Sequence, residues 1–501
     1  MEDLLKQVLT ARVYDLAVRT PLDPARGLSA QFENTILLKR EDLQPVFSFK
    51  VRGAYNRIAQ LHPEKRAAGA ICASAGNHAQ GVALAARHLG IPALVVMPVT
   101  TPRIKVQAVK RLGAEVVLHG DSYSDAAQHC AGLVKSTGMA FVHPFDDPLV
   151  IAGQGTIGHE LLQQCPDLDA VFVPVGGGGL IAGIAAFIKA LHPATRIVGV
   201  QPEDSNAMAL SLQRGERVLL NHVGIFADGV AVKQVGELTF RLARQFVDEI
   251  VTVTTDQVCS AIKSIYEDTR SIMEPAGALG VAGLKETVAR LGWRGKTLAA
   301  ITSGANMNFD RLQFVAERTL TGEKREALFA ITIPERPGAL RNLLEGVIGE
   351  RNITEFNYRL AERNEAHIFV GLSVGSAAER SAFAEALARN GFPSVDLTDN
   401  ELAKIHVRHM VGGRSRDARG EALYMFDFPE RPGALRDFLA AMSGTWNISL
   451  FHYRMNGGDF GRVLMGFEIP VEDLPRFKDF LDKLHYDYEE HTGNPAYRLF
   501  L

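Results

Sequence analysis

The chain is short of most features that mark an export, membrane or nucleic-acid protein. Its four cysteines, Cys72, Cys130, Cys165 and Cys259, are widely spaced and include no CxxC pair. Neither a disulfide framework nor a cysteine-ligated metal site is indicated, and a reducing compartment fits. No run of 18 apolar residues occurs, so no membrane-spanning helix is expected. The opening MEDLLKQVLTARVYDLAV carries early acids and no basic stretch leading into an apolar core, unlike a signal or transit peptide. Charge of one sign is lacking too. A net charge of −3 leaves no electrostatic footprint for nucleic acid or an anionic membrane. A cytoplasmic protein acting on small molecules is expected.

What remains is long and rich in glycine. A chain of 501 residues exceeds one hydrophobic core and suggests about three domain-sized units. From about residue 66 to 200, short apolar runs alternate with helical periods. Strands are expected at Ala68–Ala73, Ala93–Met97, Glu115–His119, Ala170–Val175 and Arg196–Gln201, with helices at Asn77–Leu89, Arg103–Leu112, Ser122–Ser136 and Leu180–Leu191. The pattern resumes with strand Glu249–Val253, helices near Asp256–Arg270 and Pro275–Leu291, and strand Thr297–Ile301. Such alternation argues for α/β architecture with one or two largely parallel sheets. The polar run Glu317–Glu326 reads as a linker.

Beyond it lies an internal repeat. PERPGALR occupies 334–341 and again 429–436, an offset of 95. The same offset superposes Asn352-Ile353 and Phe356-Asn-Tyr358-Arg359 on Asn447-Ile448 and Phe451-His-Tyr453-Arg454, and Gly371 on Gly466. Each unit reads as strand (Ala327–Ile333; Ala422–Phe428), Pro/Gly turn, helix (Ala339–Ile348; Ala434–Met442), strand, turn, strand (Ala366–Val374; Arg462–Ile469) and a final helix. That βαββαβ order is ferredoxin-like, so the second half is a duplicated α+β module.

Three glycine loops follow expected strands. Ser74-Ala75-Gly76-Asn77-His78 opens a helix, where free amides suit a carboxylate or a ring hydroxyl, or Ser and Asn simply cap it. Gly176-Gly177-Gly178-Gly179-Leu180 precedes an apolar helix. Four glycines cost roughly 1 kcal/mol each in chain entropy relative to alanine, so something requires bare backbone, and a phosphate is the natural candidate. The stretch also matches the dinucleotide fingerprint G-x-G-x-x-A, but the following strand ends in Gln201 rather than a ribose-binding acid, with Glu203 close by. Thr302-Ser303-Gly304-Ala305-Asn306 is the third, and Glu274-Pro275-Ala276-Gly277-Ala278 a weaker fourth. Upstream, Lys50 sits in Ser48-Phe49-Lys50-Val51-Arg52-Gly53-Ala54, after a strand at Thr35–Leu38 and a charged turn Lys39-Arg40-Glu41-Asp42. Apolar neighbours strip a lysine of hydration and free its amine for covalent chemistry, while a solvated lysine at a helix start is the plain alternative.

In this order, SFKVRGA, SAGNHAQG, the tetraglycine, FADGVAVK (226–233), EPAGA and SGAN resemble the fold-type II pyridoxal-phosphate enzymes, and among them the isoleucine-regulated threonine dehydratases, over nearly the whole chain. The resemblance implies a two-subdomain catalytic domain over residues 1–320, its small subdomain at about 40–145, and ACT-like modules at 327–400 and 422–501. It implies Lys50 as cofactor anchor and base, Asn77 at the ring hydroxyl, and Ser74, Ala75, Gly76, Asn77 and His78 around the substrate carboxylate. Gly176 to Gly179 with Leu180 would hold the phosphate, and Ser303 the ring nitrogen. Related serine racemases place a proton-carrying serine where this chain has Ala75, so elimination is favoured over racemisation. Those relatives also bind a divalent ion, whose acid pattern Gln201–Ala207 lacks, so no metal is expected. Each Pro-Gly turn offers free amides to an amino-acid carboxylate, or is merely a tight turn. The likeness to ACT modules points to isoleucine, opposed by valine, with Tyr358 and Tyr453 as contacts, and to a homotetramer. A serine dehydratase or a β-replacing enzyme such as cysteine synthase stays open, as does a non-catalytic amino-acid sensor, against which the presence of Lys50 counts.

Overall fold

Ten short strands form in the first 302 residues: β1 (Leu22–Pro24), β2 (Thr35–Arg40), β3 (Ala70–Ala73), β4 (Ala93–Met97), β5 (Glu115–Leu118), β6 (Ala140–Phe141), β7 (Ala170–Pro174), β8 (Arg196–Pro202), β9 (Glu249–Val253) and β10 (Thr297–Thr302). Our computed structural model describes residues 2–322, 325–334, 342–349, 351, 353–359, 365–409, 420–429, 446–454, 460–484 and 486–500. The larger sheet has the order β1-β2-β10-β7-β8-β9, the smaller β5-β4-β3-β6. All pairings are parallel except β1 with β2. Parallel strands covered by helices on both faces are unbroken apolar runs, which is why β3, β4 and β7 are buried at every position. The chain leaves the large sheet after β2, builds the small one, and returns with β7. Every strand expected between residues 66 and 301 forms within two residues of its expected ends, and each expected helix there within one.

The 17-residue helix Pro148–Gln164, by contrast, has no counterpart among the expected elements. It is buried nearly all round and carries Gly153, Gly155 and Gly158, so it shows neither an amphipathic stripe nor an unbroken helix-forming sequence. Close packing explains the composition. A Cβ on Gly153 would come within 2.7 Å of Gly53 Cα on the helix Lys50–Ala59, and one on Gly53 within 2.5 Å of Gln154.

The stretch expected as a charged turn is not one. Lys39 and Arg40 end β2, Glu41–Leu43 forms a 3-10 turn, and Lys39, Arg40, Glu41 and Asp42 are all buried. Arg52 grips Glu41 with Nε and Nη2, both at 2.8 Å, and reaches Glu160 Oε1 at 2.6 Å. Lys39 Nζ donates to Glu160 Oε2 (2.5 Å), the Thr20 carbonyl (2.7 Å) and Gln164 Oε1 (2.9 Å), which satisfies all three ammonium hydrogens. Burial opposes the Glu160 charge, but Arg52 and Lys39 together hold its carboxyl below the usual range. Two cations and two anions with fully enclosed side chains therefore balance. Removing one partner leaves a buried unpaired charge. Glu160→Ala should destabilise the protein by about 3–5 kcal/mol in urea denaturation; a loss under about 1 kcal/mol, typical of exposed pairs, would show that the network carries no weight.

The chain divides into two compact units, Met1–Val315 being the first, and Ala316–Asn456 with Phe460–Leu501 the second. The expected polar linker is instead structured: residues 317–322 continue the helix Arg311–Gly322, and Glu326 opens a strand. Within it Arg318 donates to Glu401 at 2.5 Å. In the second unit β11 (Glu326–Pro334), β12 (Ile353–Arg359), β13 (Glu365–Ser373) and β14 (Ser394–Asp396) pair in the order β12-β13-β11-β14. The strands β15 (Glu421–Pro429), β16 (Asn447–Arg454), β17 (Phe460–Glu468) and β18 (Tyr488–Glu490) repeat it as β16-β17-β15-β18. Both copies carry a register shift at the same place, Ile353/Glu355 and Ile448/Leu450. Of the helix expected at Ala339–Ile348, residues 342–348 are described, with Leu344–Ile348 π-helical. The second copy, Ala434–Met442, and the PERPGALR turns beyond Pro334 and Pro429 lie outside the described residues. No helix among the described residues is long and apolar enough to cross a membrane.

Candidate active site

Lys50 is the first residue of the helix Lys50–Ala59. The segment before it is stitched to the loop after β10. Phe49 N donates to the Ser303 carbonyl (3.2 Å), Ala305 N to the Phe47 carbonyl (2.9 Å), and Ser48 bridges Gly304. Phe47 adopts a left-handed φ of 53°, a conformation uncommon for a bulky side chain, at the residue whose carbonyl takes the Ala305 amide. Two sequence-distant candidates, Lys50 and Ser303, are thus brought together by backbone bonds. Ser303 is buried, its Oγ 3.3 Å from the Ala276 carbonyl.

Lys50 keeps part of its surface open, as a cleft residue does, yet lies deep among protein atoms. Nζ donates to the Pro144 carbonyl at 2.8 Å and lies 5.3 Å from the Phe49 ring centroid. Burial lowers its pKa to about 8, with the Glu274 carboxylate opposing. At pH 7 roughly one amine in ten is then uncharged, far more than for an exposed lysine.

The loop that receives Lys50 also touches the tetraglycine. A Cβ on Gly177 would overlap the Phe145 ring, and one on Gly179 would stand 2.9 Å from the Phe145 carbonyl. Gly178 has φ 98° and starts the helix Gly179–Leu191. Thr239 Oγ1 donates to the Gly177 carbonyl at 2.6 Å. Among the described hydrogen bonds, none uses the amides of Gly176 to Gly179 or Leu180 as donors. Free amides at a helix N-terminus form an anion site.

Asn77 begins the helix Asn77–His88. Its Nδ2 donates to Glu274 Oε1 at 2.6 Å, and its Oδ1 accepts from Asn306 Nδ2 at 2.7 Å. His78 is buried, with Nε2 against the Val142 carbonyl at 2.8 Å; burial pushes its pKa down to about 3, so the ring is neutral. Ser74 Oγ accepts from Gly76 N at 3.3 Å, which shapes the loop at Ala75. Glu274 is raised to about 7, first by burial and then by the negative charge of Asp228. Asp228 is held well below its ordinary range: burial opposes the charge, but Lys105 (2.5 Å) and Arg311 (3.5 Å) outweigh it. Glu274 and Asn306 belong to motifs visible in the sequence but received no role there. The segment His143–Asp146, which seats both Lys50 and the tetraglycine, carries no motif that could have flagged it.

A deep amine beside a cradle of free amides, with a buried hydroxyl on the same wall, is the layout of a pyridoxal-phosphate enzyme, and residues 13–304 match the family described as pyridoxal-phosphate dependent enzyme. Residues 317–407 and 412–501 each match the C-terminal regulatory domain of threonine dehydratase. The biosynthetic L-threonine dehydratase IlvA of Burkholderia multivorans is 55% identical over 503 residues, covering 100% of this chain and 99% of that protein. The Escherichia coli protein of that name is 50% identical over 500 residues, covering 100% and 97%. The solved structure of processed threonine deaminase isoform 2 from Solanum lycopersicum aligns with TM-score 0.63 and 47% identity, over 63% of this chain and 87% of that one. The chain belongs to the biosynthetic threonine dehydratase family.

The residues present fit pyridoxal phosphate. The anion cradle is lined by amides, any Cβ at Gly177 or Gly179 would be driven into Phe145, and the lysine amine needed for attachment is desolvated. Gly177→Ala should weaken cofactor affinity about ten- to hundredfold, because the Phe145 ring must give way. Titrating cofactor-free protein with pyridoxal phosphate measures this, and unchanged affinity would remove the cradle from consideration. A second expectation concerns pH. A folded-state pKa raised to about 7 means that the stability contributed by Glu274 is full below its unfolded value near 4.5 and is lost as pH rises through 7. Glu274→Gln should flatten that part of the cofactor-free protein's stability profile; superposable profiles would contradict the assignment.

Proposed function

We propose that the chain converts L-threonine to 2-oxobutanoate and ammonia by β-elimination, under feedback inhibition by isoleucine that valine opposes. The observation that carries this reading is that both halves match together: a lysine-and-amide site in the first, and two copies of the threonine dehydratase regulatory domain in the second. Pyridoxal phosphate, when bound, supplies the electron sink for the negative charge left at Cα. Lys50 would anchor the cofactor and take the Cα proton, a task suited to an amine whose pKa is near 8. The amides of Gly176–Gly179 and Leu180 would hold the phosphate, Ser303 the ring nitrogen and Asn77 the ring hydroxyl. A serine there does not hold a proton on the nitrogen as an aspartate would, which favours prompt loss of the β-substituent. The helix N-terminus at Ser74–His78 would take the substrate carboxylate. Ala75 carries no proton, so nothing in that loop returns one to the opposite face of Cα, and elimination is favoured over racemisation.

Regulation is assigned to the duplicated half. Tyr358 and Tyr453 occupy equivalent register positions, opposite Ile368 on β13 and Val463 on β17; their side chains lie outside the described residues. We assign the effector contacts to these positions, the assembly to a homotetramer and the setting to the cytoplasm. Incubating purified protein with threonine, and separately with serine, should yield 2-oxobutanoate faster than pyruvate, and Lys50→Ala should reduce turnover by about a thousandfold or more. Isoleucine should slow the reaction at low threonine. A chain ending near residue 322 should keep turnover and lose that response; a truncated enzyme still inhibited by isoleucine would sink the regulatory assignment.

A further inference from the structure

A side-chain amide has nearly the same shape either way round, so its direction is set by a neighbour that only donates or only accepts. Such a neighbour lies at one end of a chain of polar groups beside Lys50. Asn306 Nδ2 donates to the Val46 carbonyl at 2.8 Å, and a carbonyl only accepts, so this end of Asn306 is its NH2 group. The second hydrogen of that nitrogen goes to Asn77 Oδ1 at 2.7 Å. Asn77 Nδ2 is thereby placed on the other side, 2.6 Å from Glu274 Oε1. Glu274 is fixed in turn by its own amide, which donates to the Gly304 carbonyl at 3.2 Å. Gly304 admits the carboxyl because it has no side chain: a Cβ there would overlap Oε1. One N–H of Asn77 is consumed by Glu274, and one remains.

We propose that Asn306 and Glu274 are positioning residues that lock the Asn77 amide in one orientation, so that its remaining N–H is presented as a donor to the ring hydroxyl oxygen of bound pyridoxal phosphate. The inference rests on the proposed contact between Asn77 and that oxygen. A donor at this point favours the ionised form of the ring oxygen, and the visible band of the bound cofactor follows that ionisation.

The test uses the full chain stripped of cofactor and titrated with pyridoxal phosphate, reading affinity and the absorption band rather than turnover. Asn306→Asp replaces a donor by an acceptor facing two oxygens and should turn Asn77 round. It is expected to weaken cofactor affinity about tenfold or more and to shift the band in the same sense as Asn77→Ala. Glu274→Gln keeps an acceptor oxygen and should stay within about twofold of the unsubstituted protein, whereas Glu274→Leu should follow Asn77→Ala. Should N306D not fold, Asn306→Ala removes the donors without adding charge and should shift both readings the same way. In the double variant Asn77→Ala/Asn306→Ala the losses should not add, because both act through one amide. Additive losses, or Asn306 variants with unchanged affinity and band while N77A loses both, overturn the positioning role and leave the contact standing. An N77A protein with unchanged affinity and band overturns the contact itself and the inference with it.

Discussion

Four enclosed charges decide where Lys50 stands. Arg52 is two residues beyond it on the same helix, and its guanidinium grips Glu41 from the 3-10 turn after β2 and Glu160 from the helix Pro148–Gln164, which Lys39 at the end of β2 also binds. Apolar packing is non-directional and tolerates sliding, whereas a planar fork that must satisfy two carboxylates does not. Any arrangement that leaves one of these groups unpaired costs several kcal/mol. The strand, the helix that opens with Lys50 and the helix beneath it are therefore fixed to one another before any ligand is considered. Gly53 and Gly153 let the two helices approach closely enough for the fork to close.

The same cluster shows where sequence reading stops. β7 or the helix Arg103–Arg111 could be read because its residues carry the signal themselves, as an apolar run or a 3.6 period. Lys39, Arg40, Glu41 and Asp42 carry a local signal that points the wrong way: four consecutive charges ordinarily mean solvent. Their burial depends on partners such as Glu160, more than 100 residues away. The helix Pro148–Gln164 is lost for a related reason, since its glycines serve neighbours rather than the helix. In the site, the glycine loops stood out because bare backbone is costly, whereas Lys50 by itself reads equally as a solvated helix-start lysine and was singled out by the ordered set of motifs it belongs to. Asn306, Glu274 and Phe145 act only through what they touch, and residue type alone does not disclose that.

The duplicated half was legible as a repeat, but the structure extends the likeness to details outside the matched motifs. Thr354 donates to Glu326 at 2.5 Å beside the first bulge, and Ser449 to Glu421 beside the second, the same pair at the same offset. Leu328 N donates to Thr398 Oγ1 and Leu423 N to Thr492 Oγ1, each at 3.0 Å. The two sheets also share one core, in which Leu328, Ala330 and Phe369 of the first copy join Leu423, Met425 and Leu464 of the second. Asn400 Nδ2 donates to Asn494 Oδ1 across the repeat at 3.1 Å. Two modules with a common core form one packed body, so a ligand that repacks either copy changes surfaces belonging to both. Binding to one and response in the other then need no separate relay.

Thr239 and Phe145 contact the tetraglycine, and in the proposed arrangement the charge facing the cofactor phosphate is the partial charge of free amides at a helix start. A fixed arginine there would add a positive field near Nζ and pull the lysine pKa down further. Amides would take the phosphate without placing a full positive charge near Lys50 Nζ. Burial pushes Glu274 up to about 7 and Lys50 down to about 8, and the Glu274 carboxylate partly offsets the fall of the lysine. In the role proposed for Lys50, a base that gains and loses a proton in every turnover, a pKa lowered toward the working pH is an advantage.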